Sequence, residues 1–461
     1  MALSLFHKIT GGAKYLEIFR DALLFGKYYI NARQIIRQLD KMTEDDIRAY
    51  HYSRLRAIIE YSYQNIPYYN DLFDRIGFKP EDFRKPEDIR HIPYLTKAQI
   101  CENHERLIPA KVPSKYLKRS VTGGSTGKPM VFYLDRRTSS HVDFAYQMYI
   151  WKRIGYRFRD KCVVMRGDTF DQADERNCWR MNYPMNWLIM SSLRLNRDTV
   201  SIYLEKIRKF DPKYLIIYPS NAYILARYAK ERNIDLCKSL RGVICSSETL
   251  YDWQKQYIER GLKVPVYSYY GLSEKCCLAS GFTDSVGYEF IPAYCYTEIV
   301  NKAGNECSAD GELGEIVCTG LNSIAAPMIR YRTNDVAVFS EHPRDNHGGW
   351  KTVKEIRGRI SEFIVDNKGS LITFTCSDEI FWQIIEKLNA YQYVQVTPGK
   401  LLIRLEINQP LTDLEYNSMK ANVAAYYPGF EVGFTIVENI PKTRIGKFRY
   451  LIQELKIDFH T

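Results

Sequence analysis

The chain has no run of about 18 apolar residues, which excludes a membrane-spanning helix of ordinary length. Its opening, MALSLFHKITGG, lacks a basic start, a long apolar core and a small-residue cleavage site, so no secretory signal is expected. The 8 histidines form no HExxH pair, and the 11 cysteines show no zinc-type spacing. Scattered cysteines of this kind suit free thiols in a reducing cytoplasm. Internal repeats and low-complexity tracts are missing too. What is there is 461 residues, 45% hydrophobic and 26% charged, enough to fill two or three cores and too apolar for general disorder.

The net charge of +11 is unevenly placed. Residues 1–110 carry +2, residues 111–240 carry +13, and the stretches 241–360 and 361–461 carry −2 each. A polyanionic ligand or surface is therefore expected at the second of these segments. Anionic lipid and phosphate-bearing small molecules fit, whereas no RNA- or DNA-binding motif accompanies the charge.

Apolar residues recur at three- and four-residue spacing in LEIFRDALLF and IRAYHYSRLRAIIEYSY, which predicts helices over about the first 60 residues of a helical lead-in placed at residues 1–110. The aromatic stripe of Tyr50, Tyr52, Tyr61 and Tyr63 is read as packing. From residue 120, VVMRG, YLIIY, RGVIC and VPVYSYY alternate with helical stretches such as SNAYILARYAKERN, the pattern of a parallel α/β sheet. After residue 285 strands dominate. Near 347–360 a boundary is expected, dividing a core domain (1–358) from a small α+β domain (359–461). The latter shows two hairpins, EFIV-DNKGS-LITF and YVQV-TPGK-LLIRLEI, around the helices DEIFWQIIEKLN and DLEYNSMKANVAAYY.

The stretch Ser120-Val-Thr-Gly-Gly-Ser-Thr-Gly-Lys-Pro-Met130 can wrap an anion. Glycine lets backbone N–H groups point inward, and Ser125, Thr126 and Lys128 add donors and charge. A Walker loop fails at both ends, where Thr122 replaces the first glycine and Pro129 follows the lysine. A GxSxG nucleophile elbow matches literally but needs a helix starting at the serine, and here Pro129 and a strand-like VFYLD follow. A phosphate-cradling loop between two hairpin strands, or a solvated glycine-rich turn, remains.

Further short motifs follow in order: Tyr270-Gly-Leu-Ser-Glu274, Pro327-Met-Ile-Arg-Tyr-Arg-Thr-Asn-Asp335, Ile356-Arg-Gly-Arg359 and Pro441-Lys-Thr-Arg-Ile-Gly-Lys447. With the lead-in IIEYSYQNIPYYNDLF…KPEDIRHIPYLTKAQI and the stretch SSLRLN…IYPSN, this constellation resembles the adenylate-forming superfamily of acyl-CoA synthetases over nearly the whole chain. The branch it resembles is that of the phenylacetate–CoA ligases and the CapK-type proteins associated with capsular polysaccharide. The resemblance implies a large N-terminal domain of αβ subdomains with a distorted β-barrel, and a small mobile C-terminal lid. The implied activity joins a carboxylate to ATP, releases pyrophosphate and passes the acyl group to an acceptor.

Residue roles follow from the same resemblance. Ser125, Thr126, Gly127 and Lys128 would hold the β- and γ-phosphates. Glu274, with Thr126, would hold Mg²⁺, a hard cation suited to carboxylate and phosphate oxygens. Tyr270 and Gly271 would face adenine beside Ser273, with Ser247 and Glu248 on the other wall. Asp335 would accept from both ribose hydroxyls, and Arg359 would reach ribose or phosphate. Lys447, on the lid, would place its charge across the attacking carboxylate and the α-phosphate, with Ser361 and Glu362 as the hinge. Asn334 stands where relatives have glycine, a substitution that tolerates positive φ.

CoA is the implied acceptor by default. Amide or ester formation on an amino acid, a sugar or a nucleotide-sugar in polysaccharide assembly is the alternative, and a non-catalytic nucleotide-binding protein is a third reading. Walls for a small carboxylic acid are expected at residues 141–153, 165–168, 218–220 and 268–269, with Arg166 facing either a substrate anion or Asp168.

Overall fold

A computed structural model describes residues 13–122, 130–167, 178–281, 287–323, 325–341, 348–443 and 446–460. The chain divides into two compact units, each assembled from separated segments. One comprises Met1–Asp160, Met181–Trp187 and Tyr267–Ile356; the other comprises Lys161–Arg180, Leu188–Val266 and Arg357–Thr461.

The first unit opens on helices Ala13–Leu24, Gly26–Gln38, Glu44–Asn65 and Pro67–Ile76. The longest starts at a reciprocal cap, in which Thr43 Oγ1 accepts from Asp46 N (3.2 Å) and Asp46 Oδ2 accepts from Thr43 N (2.9 Å). It stops at Ile66 because Pro67 holds the preceding residue extended. The aromatic stripe packs as expected: Tyr52 stacks on Phe83 and Tyr63 on Phe73, at 5.8 and 6.2 Å between ring centres. A hairpin of Leu117–Val121 and Val131–Asp135 follows, with Val121 opposite Val131. Beyond it lies a run of strands in the order Cys295–Val300, Leu313–Gly320, Tyr331–Ser340, Thr352–Arg359, Tyr288–Phe290, Leu278–Gly281 and Val266–Gly271.

Arg330 fixes the lead-in to this sheet. Its guanidinium pairs side-on with the buried Glu298 carboxylate at 2.7 and 3.0 Å and donates to the carbonyls of Arg90 (3.0 Å) and Ile92 (2.7 Å). Tyr69 adds a second tie, donating to Pro327 O (3.2 Å) and accepting from Ile329 N (3.0 Å).

The second unit holds the parallel strands Cys162–Met165, Tyr214–Ile217 and Gly242–Cys245, with Met165, Ile217 and Cys245 in register. Every residue of these strands is buried, which is why they read as continuous apolar runs rather than alternating ones. Helices Val200–Phe210, Pro219–Glu231 and Asp252–Leu262 connect and cover them. The C-terminal segment adds a hairpin of Phe363–Val365 with Leu371–Thr373, and a sheet ordered Glu431–Ile436, Lys400–Ile407, Leu388–Gln395, Leu451–Gln453. Helix Asp413–Tyr426 packs Met419 and Val423 into its core.

One expected helix, DEIFWQIIEKLN, is instead a shorter 3₁₀ helix over Asp378–Ile384, kinked at Phe381 (φ −109°, ψ 18°), and a strand begins at Leu388. The core explains the change. Ile380, Phe381 and Ile384 are all buried, and the break lets two consecutive side chains enter the core together. Among the described residues no helix is long and apolar enough to cross a membrane.

Two stability tests follow. Arg330→Met strands the Glu298 carboxylate in the interior and should cost about 3–5 kcal/mol in chemical denaturation. Arg330→Met combined with Glu298→Leu should recover most of that loss, and no recovery would mean the pair is not the source. Burial pushes His51 down to about 4, with Pro292 O at 2.8 Å from Nε2 opposing the shift. The unfolded chain therefore takes up a proton between pH 6.5 and 4 that the fold refuses. Stability is full above pH 6.5 and falls by up to about 3 kcal/mol as pH drops to 4. His51→Gln should remove that part of the slope, so identical slopes would refute the assignment.

Candidate active site

Ligands in open α/β sheets bind beyond the carboxyl ends of parallel strands. In the second unit three such ends lie side by side and continue as Arg166-Gly167, Tyr218-Pro219-Ser220 and Ser246-Ser247-Glu248. They are cross-tied: Arg166 Nη1 donates to Ser246 Oγ (2.5 Å), and Gly167 N donates to the Tyr218 hydroxyl (2.8 Å). Ser247 takes the left-handed conformation (φ 72°), turning the chain so that Glu248 meets the start of helix Pro219–Glu231. There the Glu248 carboxylate accepts from Ser220 N (3.0 Å) and Ser220 Oγ (3.1 Å).

The loop after Pro441 comes to the same place. It closes on itself through Thr443 N to Lys447 O and Gly446 N to Thr443 O, both 2.8 Å, with Lys447 N donating to Thr443 Oγ1 at 3.0 Å. Phe448 N donates to Glu248 Oε1 (2.9 Å). Gly446 has φ 83° and lies so close to Ser192 that an added Cβ would meet its Cβ and carbonyl carbon at 2.9 and 3.0 Å. Lys447 sits between these two attachments, its Nζ 5.9 Å from the centre of the Tyr218 ring, within range of a cation–π attraction.

Burial pushes the Glu248 carboxyl above the usual range, and the Ser220 and Phe448 donors together with the Lys447 charge pull it back. Lys442, which the sequence reading passed over although it lies inside the quoted motif, is enclosed as well. Its ammonium donates to Leu195 O (2.8 Å), Asn221 Oδ1 (3.0 Å) and Ser192 O (3.2 Å). Burial lowers it to about 8, while Glu248 works in the opposite direction.

The first unit gathers a different set. Tyr270 donates to Asp335 Oδ2 (2.6 Å), and Tyr331 donates to Glu274 Oε1 (3.1 Å). Asp335 and Glu274 are both buried, while Gly271 and Ser273 are exposed beside them. Asn334 adopts φ 59° within strand Tyr331–Ser340, its N–H on Glu315 Oε1 (2.9 Å), so the asparagine does hold a left-handed position. Burial and the neighbouring Asp335 raise the Tyr270 phenol well above its ordinary value, which keeps it a donor. Tyr331 was not anticipated; its place in the Arg-Tyr-Arg stretch was the available signal.

Ser125, Thr126, Gly127, Lys128 and Asp168 lie outside the described residues. The strands on either side are described: Leu117–Val121 and Val131–Asp135 pair antiparallel, and Thr122 N donates to Met130 O at 3.0 Å. Arg359 is exposed and ends a strand next to Gly358, whose φ of 94° lets Thr249 and Glu362 approach; Thr249 Oγ1 donates to Glu362 Oε2 at 2.7 Å. All eleven cysteines are free thiols, Cys276 and Cys318 lying 3.6 Å apart, and no metal-holding cluster occurs among the described residues.

A family model described as the CapK C-terminal domain matches residues 364–454. Protein CapK of Staphylococcus aureus is 26% identical over 416 residues, covering 87% of this chain and 88% of that protein. Phenylacetate-coenzyme A ligase of Pseudomonas putida is 25% identical over 318 residues, covering 67% and 70%. Among solved structures, 2-hydroxyisobutyryl-CoA ligase in its postadenylation state superposes with a TM-score of 0.70 at 18% identity, covering 91% of this chain and 92% of that one, which shows the fold.

The closeness of Gly446 to Ser192 gives a direct test. Gly446→Ala should lift the loop, and the Phe448 amide, bonded to Glu248, should exchange with solvent at least tenfold faster. Unchanged exchange would mean that the contact does not hold the loop.

Proposed function

Since the chain belongs to the adenylate-forming superfamily, in the branch of CapK and the phenylacetate–CoA ligases, we propose that it is an AMP-forming acid ligase that activates a small carboxylic acid with ATP. The observation that carries this reading is the seat of Lys447. A lysine on a turn of the C-terminal segment lies over Tyr218 at the carboxyl ends of three parallel strands.

The chemistry asks for that placement. A carboxylate attacks the α-phosphate in line, both partners are anions, and the charge moves toward pyrophosphate. The catalyst's main work is to hold them together and neutralise the shifting charge. Lys447 supplies a fixed positive charge there, and Ser125, Thr126, Gly127 and Lys128 take the outgoing phosphates. In the first unit Asp335 accepts from the ribose hydroxyls, its carboxylate oriented by Tyr270, and Tyr270, Gly271 and Ser273 serve the adenine; in the second, Ser247 is assigned to adenine and Arg359 to ribose or phosphate by the same resemblance. In this arrangement Glu248 is an anchor for the Lys447 loop more than an adenine wall, since its carboxylate is engaged by Ser220 and Phe448.

Mg²⁺ fits the residues present. Glu274 offers a buried carboxylate oriented by Tyr331, the oxygen donor that such an ion takes. Glu274 would hold the ion with Thr126, and the ion would supply charge neutralisation on the phosphates.

Transfer of the acyl group to CoA is the default second step, with an amine or a sugar hydroxyl as the alternative in surface-polysaccharide assembly. The use of ATP and the free cysteines support a cytoplasmic reading.

The test is pyrophosphate release from ATP and Mg²⁺ over a panel of carboxylic acids that includes uronic and amino acids, repeated with CoA and amine acceptors. Release with at least one acid is expected, and silence across the panel would favour a non-catalytic nucleotide-binding protein. Loss of one such electrostatic contact typically lowers a rate by about 10²–10³. Lys447→Ala should therefore nearly abolish acyl-adenylate formation yet spare transfer from a supplied acyl-adenylate. Equal loss of both steps would contradict the role given to Lys447.

A further inference from the structure

The loop that carries Lys447 is fastened at three points, and the third is a second lysine of the same motif. Phe448 is held by Glu248 on one side of Lys447, and Gly446 rests on Ser192 on the other. Ahead of both, the Lys442 ammonium enters a cage of three oxygens: the carbonyls of Ser192 and Leu195 and the side-chain carbonyl of Asn221. Three acceptors use all three protons of an ammonium, so the geometry is saturated. The cage is itself fixed, because Asn221 is fully buried and its Nδ2 donates to the same Ser192 carbonyl (3.3 Å).

Ser192 thus meets the loop twice, through its carbonyl on Lys442 and through its body against Gly446. Asn221 stands next to Ser220 at the start of helix Pro219–Glu231, and Ser220 holds Glu248. Asn221 of the cage and Ser220 of the Glu248 clasp are consecutive residues at one helix end.

We infer that Lys442 is a positioning residue: its caged ammonium sets the loop so that the Lys447 charge is delivered over Tyr218 for the adenylation step. The inference rests on the proposed ligase activity and names a further residue for it. Lys442 touches none of the groups assigned to ATP or acid; it acts through the loop. A misplacement of about 1 Å at a reacting centre costs on the order of 10² in rate, and releasing one of three attachments permits a shift of that size.

The experiment uses the full chain and Lys442→Met, which keeps an unbranched stem and removes the three donors. Pyrophosphate release should fall about 10–100-fold in kcat with the KM for ATP within about threefold. Transfer from a supplied acyl-adenylate to the acceptor should stay within about twofold. Exchange of the Phe448 amide should quicken at least tenfold, while amides of the buried strand Tyr214–Ile217 stay protected; the melting temperature should drop by a few degrees, because buried carbonyls lose their donor. Asn221→Leu, which opens the cage from the other side, should reproduce the same pattern. Unchanged pyrophosphate release, an unchanged Phe448 amide, or a parallel loss of both half-reactions would overturn the inference. If the parent protein releases no pyrophosphate with any acid, the ligase reading and the adenylation role of Lys442 fall together. The amide measurement then still shows whether the cage holds the loop.

Discussion

A carboxylate removed from water must find donors, and the choice of donors at Glu248 organises the second unit. Leaving such a group unpaired would cost several kcal/mol, or would force it to take up a proton. Its partners are the backbone and hydroxyl of Ser220 and the amide of Phe448, which lies 200 positions further along the chain. One acid therefore joins a strand end, a helix start and the lysine-bearing loop. Neither the strand ends alone nor the loop alone presents Lys447 over Tyr218.

The first unit solves a related problem with tyrosines. Asp335 and Glu274 are the acids assigned to ribose and metal, and each is gripped by a phenol, Tyr270 or Tyr331. Both phenols titrate far above neutrality, pushed there first by burial and then by the acid they face, so both remain donors. Orienting a carboxylate before the substrate arrives is a form of preorganisation, since no reordering is then needed during reaction. The two units thus use different devices. A cation is positioned through a backbone loop in one, and anions are positioned through side-chain hydroxyls in the other.

Much of this was legible in the sequence, for physical reasons that differ between elements. The three parallel strands read correctly because burial on both faces leaves an uninterrupted apolar run. Asn334 takes the left-handed conformation that its identity tolerates. The stretch after Asp378 misled because its apolar residues also fit a helical period, and only the demands of the surrounding core break it at Phe381. The cage around Lys442 was invisible for another reason. Its acceptors are two main-chain carbonyls and one amide, drawn from residues 192, 195 and 221, and carbonyl groups carry no sequence signature. The joining of 188–266 to 357–461 is likewise a matter of long-range contact, which local patterns do not encode.

The charge surplus at 111–240 acquires a narrower meaning from these contacts. Arg137 is bound to Asp135, Arg227 to Glu231 and to the carbonyls of Ile385 and Leu388, and Arg153 lies 3.5 Å from Glu289. Arg197 reaches Asn389, and Lys161 reaches the Phe210 carbonyl. These cations hold the fold together, so a count of charges overstates what is offered to a ligand. Arg166 is different in its position. It follows a strand that ends at the candidate site, where it donates to Ser246 Oγ from the neighbouring strand end. Any preference for an anionic acid or acceptor is therefore better sought at these strand ends, beyond which ligands of α/β sheets bind, than in the basic segment as a whole.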